Sequence, residues 1–158
     1  MKKILITFGT RGLGQRIAKL LQNDFEVYFA SSEEIPELLL KSNKYIKIPA
    51  GLSPTYAHEL LKISLDLSID YILPLGGFEF LPLAESKILF DEYNIKVLVP
   101  NADSLDNYPF VENPPKEMDL ILAVEGSALI GHIPSLNLLS EDGLFVASDS
   151  GEELALCV

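Results

Sequence analysis

Five short apolar runs, at residues 4–8, 27–30, 45–48, 71–75 and 96–99, alternate with helix-period segments through the first hundred positions. That rhythm leaves few architectures open. Ile4-Leu5-Ile6-Thr7-Phe8 is continuous rather than alternating, as in a parallel strand covered on both faces. Leu13, Ile17, Leu20 and Leu21 then recur at the spacing of one helix face. A short helical stretch is predicted over 35–41. Ser53-Pro54 reads as a helix start with proline at the first helical position, and Tyr56, Leu60, Ile63 and Leu67 as its buried face. Phe80, Leu83, Ala84 and Ile88 mark a further helix. Strands alternating with helices at this spacing need right-handed βαβ crossovers. The predicted fold class is therefore α/β: a three-layer Rossmann-like fold, a mostly parallel sheet with helices on both faces.

Residues 101–118 break the rhythm. NADSLDNYPFVENPPKEM carries three prolines and four acidic residues without a clear period, and reads as a long connection of the kind that forms a lid, a binding loop or an insertion. Beyond it, 120–124 predicts a buried strand and 127–139 a weaker helix interrupted by Gly131 and Pro134. Glu141-Asp142-Gly143 predicts a turn, and 144–147 with 154–158 an antiparallel C-terminal hairpin. The tail thus reads as a strand–helix–strand–strand extension of the same sheet, within one domain spanning 1–158.

Charge narrows the partners. The formal net charge is −11, from 23 acidic and 12 basic residues, and such a surface repels phosphate backbones and anionic membranes. The expected partner is a small-molecule ligand, not nucleic acid or membrane. No run approaches the roughly 18–20 apolar residues of a membrane span. The apolar start also ends at Gly9 and Arg11, short of a signal-peptide core. A single cysteine, Cys157, excludes an internal disulfide and fits a reducing compartment, so a cytoplasmic location is expected. The apolar run 154–158 would invite pairing of a second copy, and a homodimer through the C-terminal strands is expected from it.

The turn after the first strand, GTRGLG, places Gly9, Thr10, Arg11, Gly12 and Gly14 at a strand-to-helix junction. Such a turn lets backbone approach a phosphate at the positive helix end, with Arg11 as a neighbouring cation. Its order is G-x-x-G-x-G, however, not the dinucleotide fingerprint G-x-G-x-x-G. The second strand ends Ala30-Ser31-Ser32, without the acidic residue that holds a ribose. Ser31 and Ser32 leave room for a 2′-phosphate, with no arginine nearby to receive one. NAD(P) binding by a divergent short-chain-type reductase is therefore the rival reading, and no Tyr-x-x-x-Lys accompanies it. Gly76 and Gly77 turn the chain after the fourth strand, where open α/β sheets bind ligands. Glu79 beside them is either a carboxylate for a substrate amine or hydroxyl, or a first-turn acid facing its own helix end. His58 and His132 lie far apart without a ligand cluster, so no metal is expected, and Cys157 reads as a core thiol.

In order and spacing, residues 1–100 resemble the N-terminal, preATP-grasp domain of ATP-grasp carboxylate–amine ligases, as in carbamoyl-phosphate-synthase-like proteins. The residues that carry this are the strand–Gly start with Leu13-Gly14-Gln15, Ile48-Pro49, Ile69-Asp70-Tyr71-Ile72-Leu73-Pro74, Glu79, and Val99-Pro100. The resemblance implies a Rossmann-like domain that forms the substrate side of an active site, with the 9–14 turn and Glu79 facing the cleft. ATP and magnesium would be held by the domains that follow. This sequence departs after Pro100: no Asp-Lys pair opens a helix, and 58 residues remain, too few for an ATP-grasp module. The expectation is a stand-alone module that binds a small molecule or a protein partner, such as a separate ATP-grasp chain, without a complete catalytic set; the alternative is a non-catalytic subunit of an ATP-grasp ligase assembly.

Overall fold

In the computed structural model, which describes residues 1–134 and 140–158, alternation along β1 (Lys2–Thr7) sets the layers. Ile4 and Ile6 point into one apolar layer and Leu5 into the other, and all three are fully buried. β1 pairs in parallel with β2 (Phe25–Ser31) and β4 (Tyr71–Leu73), and these in turn pair with β3 (Tyr45–Lys47) and β5 (Lys96–Val97). The order β3-β2-β1-β4-β5 is that of the first five strands of a doubly wound sheet, with the switch point between β1 and β4. α1 (Gly12–Leu21) packs Leu13, Ile17 and Leu21 into the layer of Ile4 and Ile6. The layer of Leu5 holds Tyr56 and Leu60 of α3 (Tyr56–Asp66), with Phe80 and Leu83 of α4 (Gly77–Glu85). Helices therefore flank the parallel sheet on both faces. α2 (Glu37–Leu40), between β2 and β3, is a single turn that buries none of its residues.

Two helices differ from their sequence pattern. α3 starts at Tyr56, two residues past Pro54, because 53–55 form a turn in which the Ser53 carbonyl accepts the Tyr56 N–H at 3.1 Å. The segment predicted as one helix through Ile88 divides at Ser86 into α4 and α5 (Lys87–Asp91). The Ser86 N–H turns back to the Leu83 carbonyl, a tighter closure than the α-helical one, and the chain beyond is rotated. Ile88 is consequently 77% exposed, while Phe90 is fully buried.

The tail does not extend the parallel sheet. β6 (Phe110–Val111), β7 (Leu120–Val124), β8 (Ser127–Ile130), β9 (Gly143–Ala147) and β10 (Leu154–Cys157) form a second, mixed sheet of order β6-β10-β9-β7-β8. Pro100 closes β5 after two paired residues, and the chain crosses through a 3-10 turn at Leu105–Asn107 before strand pairing resumes. The predicted helix over 127–139 is contradicted at its start. Glu125 and Gly126, at φ of 52° and 81°, make a two-residue hairpin turn that pairs Val124 with Ser127, so Ser127–Ile130 is a strand. Residues 135–139 of that expectation lie outside the described residues. The C-terminal hairpin is present, with β9 and β10 antiparallel. β10 also pairs with β6 through Leu156 and Cys157, so at Leu156 both edges of the strand are already paired within the chain.

Side chains join what the backbone separates. Ile121, Phe145 and Leu156 enter the layer of Leu5, and Leu122, Leu144 and Cys157 that of Ile4. A buried carboxylate pins the seam: Asp142 Oδ1 accepts the Glu125 N–H at 2.8 Å, and Oδ2 faces Lys87 Nζ at 3.5 Å and Lys96 Nζ at 3.8 Å. On the opposite layer, Arg16 of α1 donates to the carbonyls of Pro114 and Met118, each at 2.8 Å. No helix among the described residues is long and apolar enough to cross a membrane.

Candidate functional site

The two glycine turns meet at the carboxyl edge of the parallel sheet, where β1 and β4 diverge to opposite partners. Phe8 leaves β1 in the left-handed region, at φ 50°, which carries its ring across to β4. A Cβ on Gly76 would overlap that ring, so the crevice between the strand ends is filled by Phe8 and closed by the absence of a side chain at Gly76. The Arg11 guanidinium lies 4.2 Å from the centre of the same ring and donates through Nε and Nη2 to the two carboxylate oxygens of Glu33, at 2.9 and 3.0 Å. The chain path thus brings an arginine beside the end of β2, which distance in sequence had hidden. Glu33 is held below the usual carboxylate range by that hydrogen bond, although the pair is solvent-exposed and contributes at most about 1 kcal/mol.

The glycines of the first turn divide into two kinds. A Cβ on Gly9 would overlap Phe29, and one on Gly14 would stand 3.0 Å from the Gly9 Cα and the Phe8 carbonyl oxygen. Both are required for close packing of the turn. Gly12 is different: it is exposed, and a Cβ there meets nothing within 4 Å. Gly12 opens α1, whose N-cap Arg11 supplies no side-chain cap. The first N–H of the helix with a backbone acceptor is that of Gln15, bonded to the Arg11 carbonyl at 3.2 Å. The backbone N–H groups at the positive helix end have no side-chain cap, and of the residues that carry them Gly12 is exposed while Leu13 and Gly14 are buried. Thr10 is half-buried next to them.

Ser31 and Ser32 turn elsewhere. Ser31 is buried, and its Oγ accepts the Glu33 N–H at 3.0 Å. Lys47 Nζ donates to the carbonyl oxygens of Ser32 and Glu33, at 2.6 and 2.8 Å, and so fastens the end of β2.

Glu79 is not turned toward the edge. It is 2% exposed, and both its oxygens are occupied from within. The Thr7 hydroxyl donates to Oε2 at 2.5 Å, the Gly76 N–H to the same oxygen at 3.1 Å, and the Tyr56 hydroxyl to Oε1 at 2.7 Å. Thr7 Oγ1 in turn accepts the Leu75 N–H at 2.8 Å. This network ties the ends of β1 and β4 to the starts of α3 and α4. Burial pushes the Glu79 carboxyl up, and the three donors and the Arg11 charge only partly offset it. The Tyr56 hydroxyl is raised well above its ordinary value by the same burial and by the Glu79 charge. Cys157 is a core thiol, pushed by burial to about 12.

Beside Gly77, which is exposed, an open groove of about 490 Å³ runs between the start of α4 and the 102–110 segment. Its aromatic walls, Tyr108 and Phe110, had no role in the sequence reading. Their spacing of two residues, one face of an extended chain, was the available signal.

Comparison with known proteins adds little. No family model matches the chain, and no curated protein does. Among solved structures, an L-threonine dehydrogenase from Clostridium difficile is similar at 19% identity with a TM-score of 0.43. The match covers 63% of this chain and 36% of that one, and a likeness so slight bears on neither reaction nor substrate. The fold and the edge define an α/β protein whose parallel sheet carries a glycine-turn surface at its switch point.

Proposed function

We propose that this chain is a binding module similar to the preATP-grasp domain of carboxylate–amine ligases, working without a complete catalytic set. Its glycine-turn surface holds a small molecule, or a ligand presented by a separate ATP-grasp partner, against the carboxyl edge of β1 and β4. What supports the reading is how polar groups are used at that edge. The uncapped start of α1 at Gly12 offers donors to a ligand, whereas Thr7, Tyr56 and Glu79 are buried and bonded to one another. Helix-end donors bind carboxylates and phosphates, and the open position at Gly12 lets such a group approach the backbone.

The NAD(P) reading remains the alternative. Against it, Glu33 near the end of β2 is engaged by Arg11 and would have to give up that pair to accept ribose hydroxyls. A thermal-shift screen over nucleotides, amino acids and nicotinamide cofactors tests both readings. A ligand at 100 times its dissociation constant adds about 2.7 kcal/mol of stability. The module reading expects a carboxylate- or phosphate-bearing compound to raise the melting midpoint, with no ATP-dependent ligation by the purified chain. A nicotinamide cofactor giving the largest rise, or ligation by the chain alone, would overturn it.

A further inference from the structure

The groove between α4 and the 102–110 segment adjoins the glycine-turn surface at Gly77, and the function proposed above does not use its aromatic walls. Its walls are apolar and set before any ligand arrives. Phe110 stands edge-on against buried Phe80 at 5.3 Å between centroids, and Tyr108 against buried Phe145 at 5.1 Å. Exposed Phe110 and half-buried Tyr108 are thus each buttressed by a core ring. Gly77 leaves the space for Phe110, since a Cβ there would come within 3.2 Å of the ring. Leu81, half exposed, and Leu105 complete the apolar lining. At about 490 Å³ the space is of the size that holds small organic molecules.

Charge decides what kind. Asp106, on the 3-10 turn, is the one charged residue of the lining, and no lysine or arginine lines the groove. Its carboxylate has no hydrogen-bond or ion-pair partner among the described residues. Aromatic faces attract cations, and a carboxylate beside them adds direction. The chain as a whole, at −11, also favours a cation over an anion. We infer that this groove binds a small organic cation: an amine or ammonium group paired with Asp106, attached to an apolar body lying between Tyr108, Phe110 and Leu81.

Three probes of one shape test this in the full chain: phenethylammonium, neutral 2-phenylethanol and anionic phenylacetate, each titrated into ¹⁵N-labelled protein. Phenethylammonium is expected to shift the amides of Gly77, Ala102, Asp106 and Phe110 saturably, with at least fivefold higher affinity than either isostere. Asp106→Asn, an exposed substitution expected to leave the melting midpoint unchanged, should remove that preference. Equal affinity for the three probes, an unaltered preference in Asp106→Asn, or shifts mapping away from the groove would overturn the assignment. So would the absence of saturable binding.

Discussion

Glycine carries different burdens at positions only three residues apart. Gly9 is pressed against Phe29, whereas Gly12 has open space on its Cβ side. Gly9→Ala must push β2 or the turn aside, and is expected to lower stability by roughly 1–3 kcal/mol, as overpacking does. Gly12→Ala should instead be neutral or stabilising by up to about 1 kcal/mol, because alanine favours a helical position over glycine. Urea unfolding of the two variants reads this difference directly. Glu79 gives a second contrast. In Glu79→Gln the amide oxygen can accept from Thr7 and Gly76 while the amide nitrogen donates to the Tyr56 oxygen, so most of the network survives and only the Tyr56 O–H loses its acceptor. Glu79→Ala strands three buried donors and should cost about 3 kcal/mol or more. The pH dependence has a fixed sign. The folded-state value is raised above 4.5, so this group's contribution is fully present below 4.5 and is lost as pH climbs through the raised value. The stability of the native chain relative to Glu79→Gln should therefore fall with rising pH over that window. An opposite slope would mean that the three donors outweigh burial.

Among the elements, β10 is the one whose role changed most between sequence and structure. Its apolar run suggested an exposed edge, yet it lies between β6 and β9, with Leu156 2% exposed. Leu156→Lys buries a charge without a partner and is expected to abolish cooperative unfolding or lower stability by several kcal/mol. A folded, fully stable Leu156→Lys chain by circular dichroism and heat would contradict the pairing described here. The elements legible in the sequence were those with a strong local period. β1 and α1 follow from a continuous apolar run and one helix face, and the β9–β10 hairpin from two apolar runs around a turn. β6 was not legible because two residues carry no period, and it exists only through pairing with β10. β8 is not legible because its hairpin turn puts Glu125, rather than an asparagine, aspartate or glycine, at the first left-handed position.

The whole molecule joins two sheets through side chains rather than through a shared ladder. Asp142 and Arg16 pin the seam from opposite layers, and both apolar layers run through both sheets. The same long-range assembly set the limits of reading the candidate site. The carboxyl edge and its glycine turns followed from strand order alone. The inward turn of Glu79 did not, because its partners Thr7 and Tyr56 lie 72 and 23 residues away. Nor did the pairing of Arg11 with Glu33, 22 residues on, which needs Phe8 in a left-handed conformation to place the turn. Local patterns point to the carboxyl edge as the candidate surface, and packing shows which of its side chains are already engaged. The central claim is that the open start of α1 is where ligand binds. Its most direct test compares the native chain with Gly12→Asp in the same thermal-shift screen. The substitution fits the open space and suits a helix N-terminus, while its carboxylate repels an anionic group there. The account predicts an unchanged or slightly higher ligand-free midpoint and loss of the ligand-induced rise expected of the native chain. A rise of the same size in Gly12→Asp would contradict it.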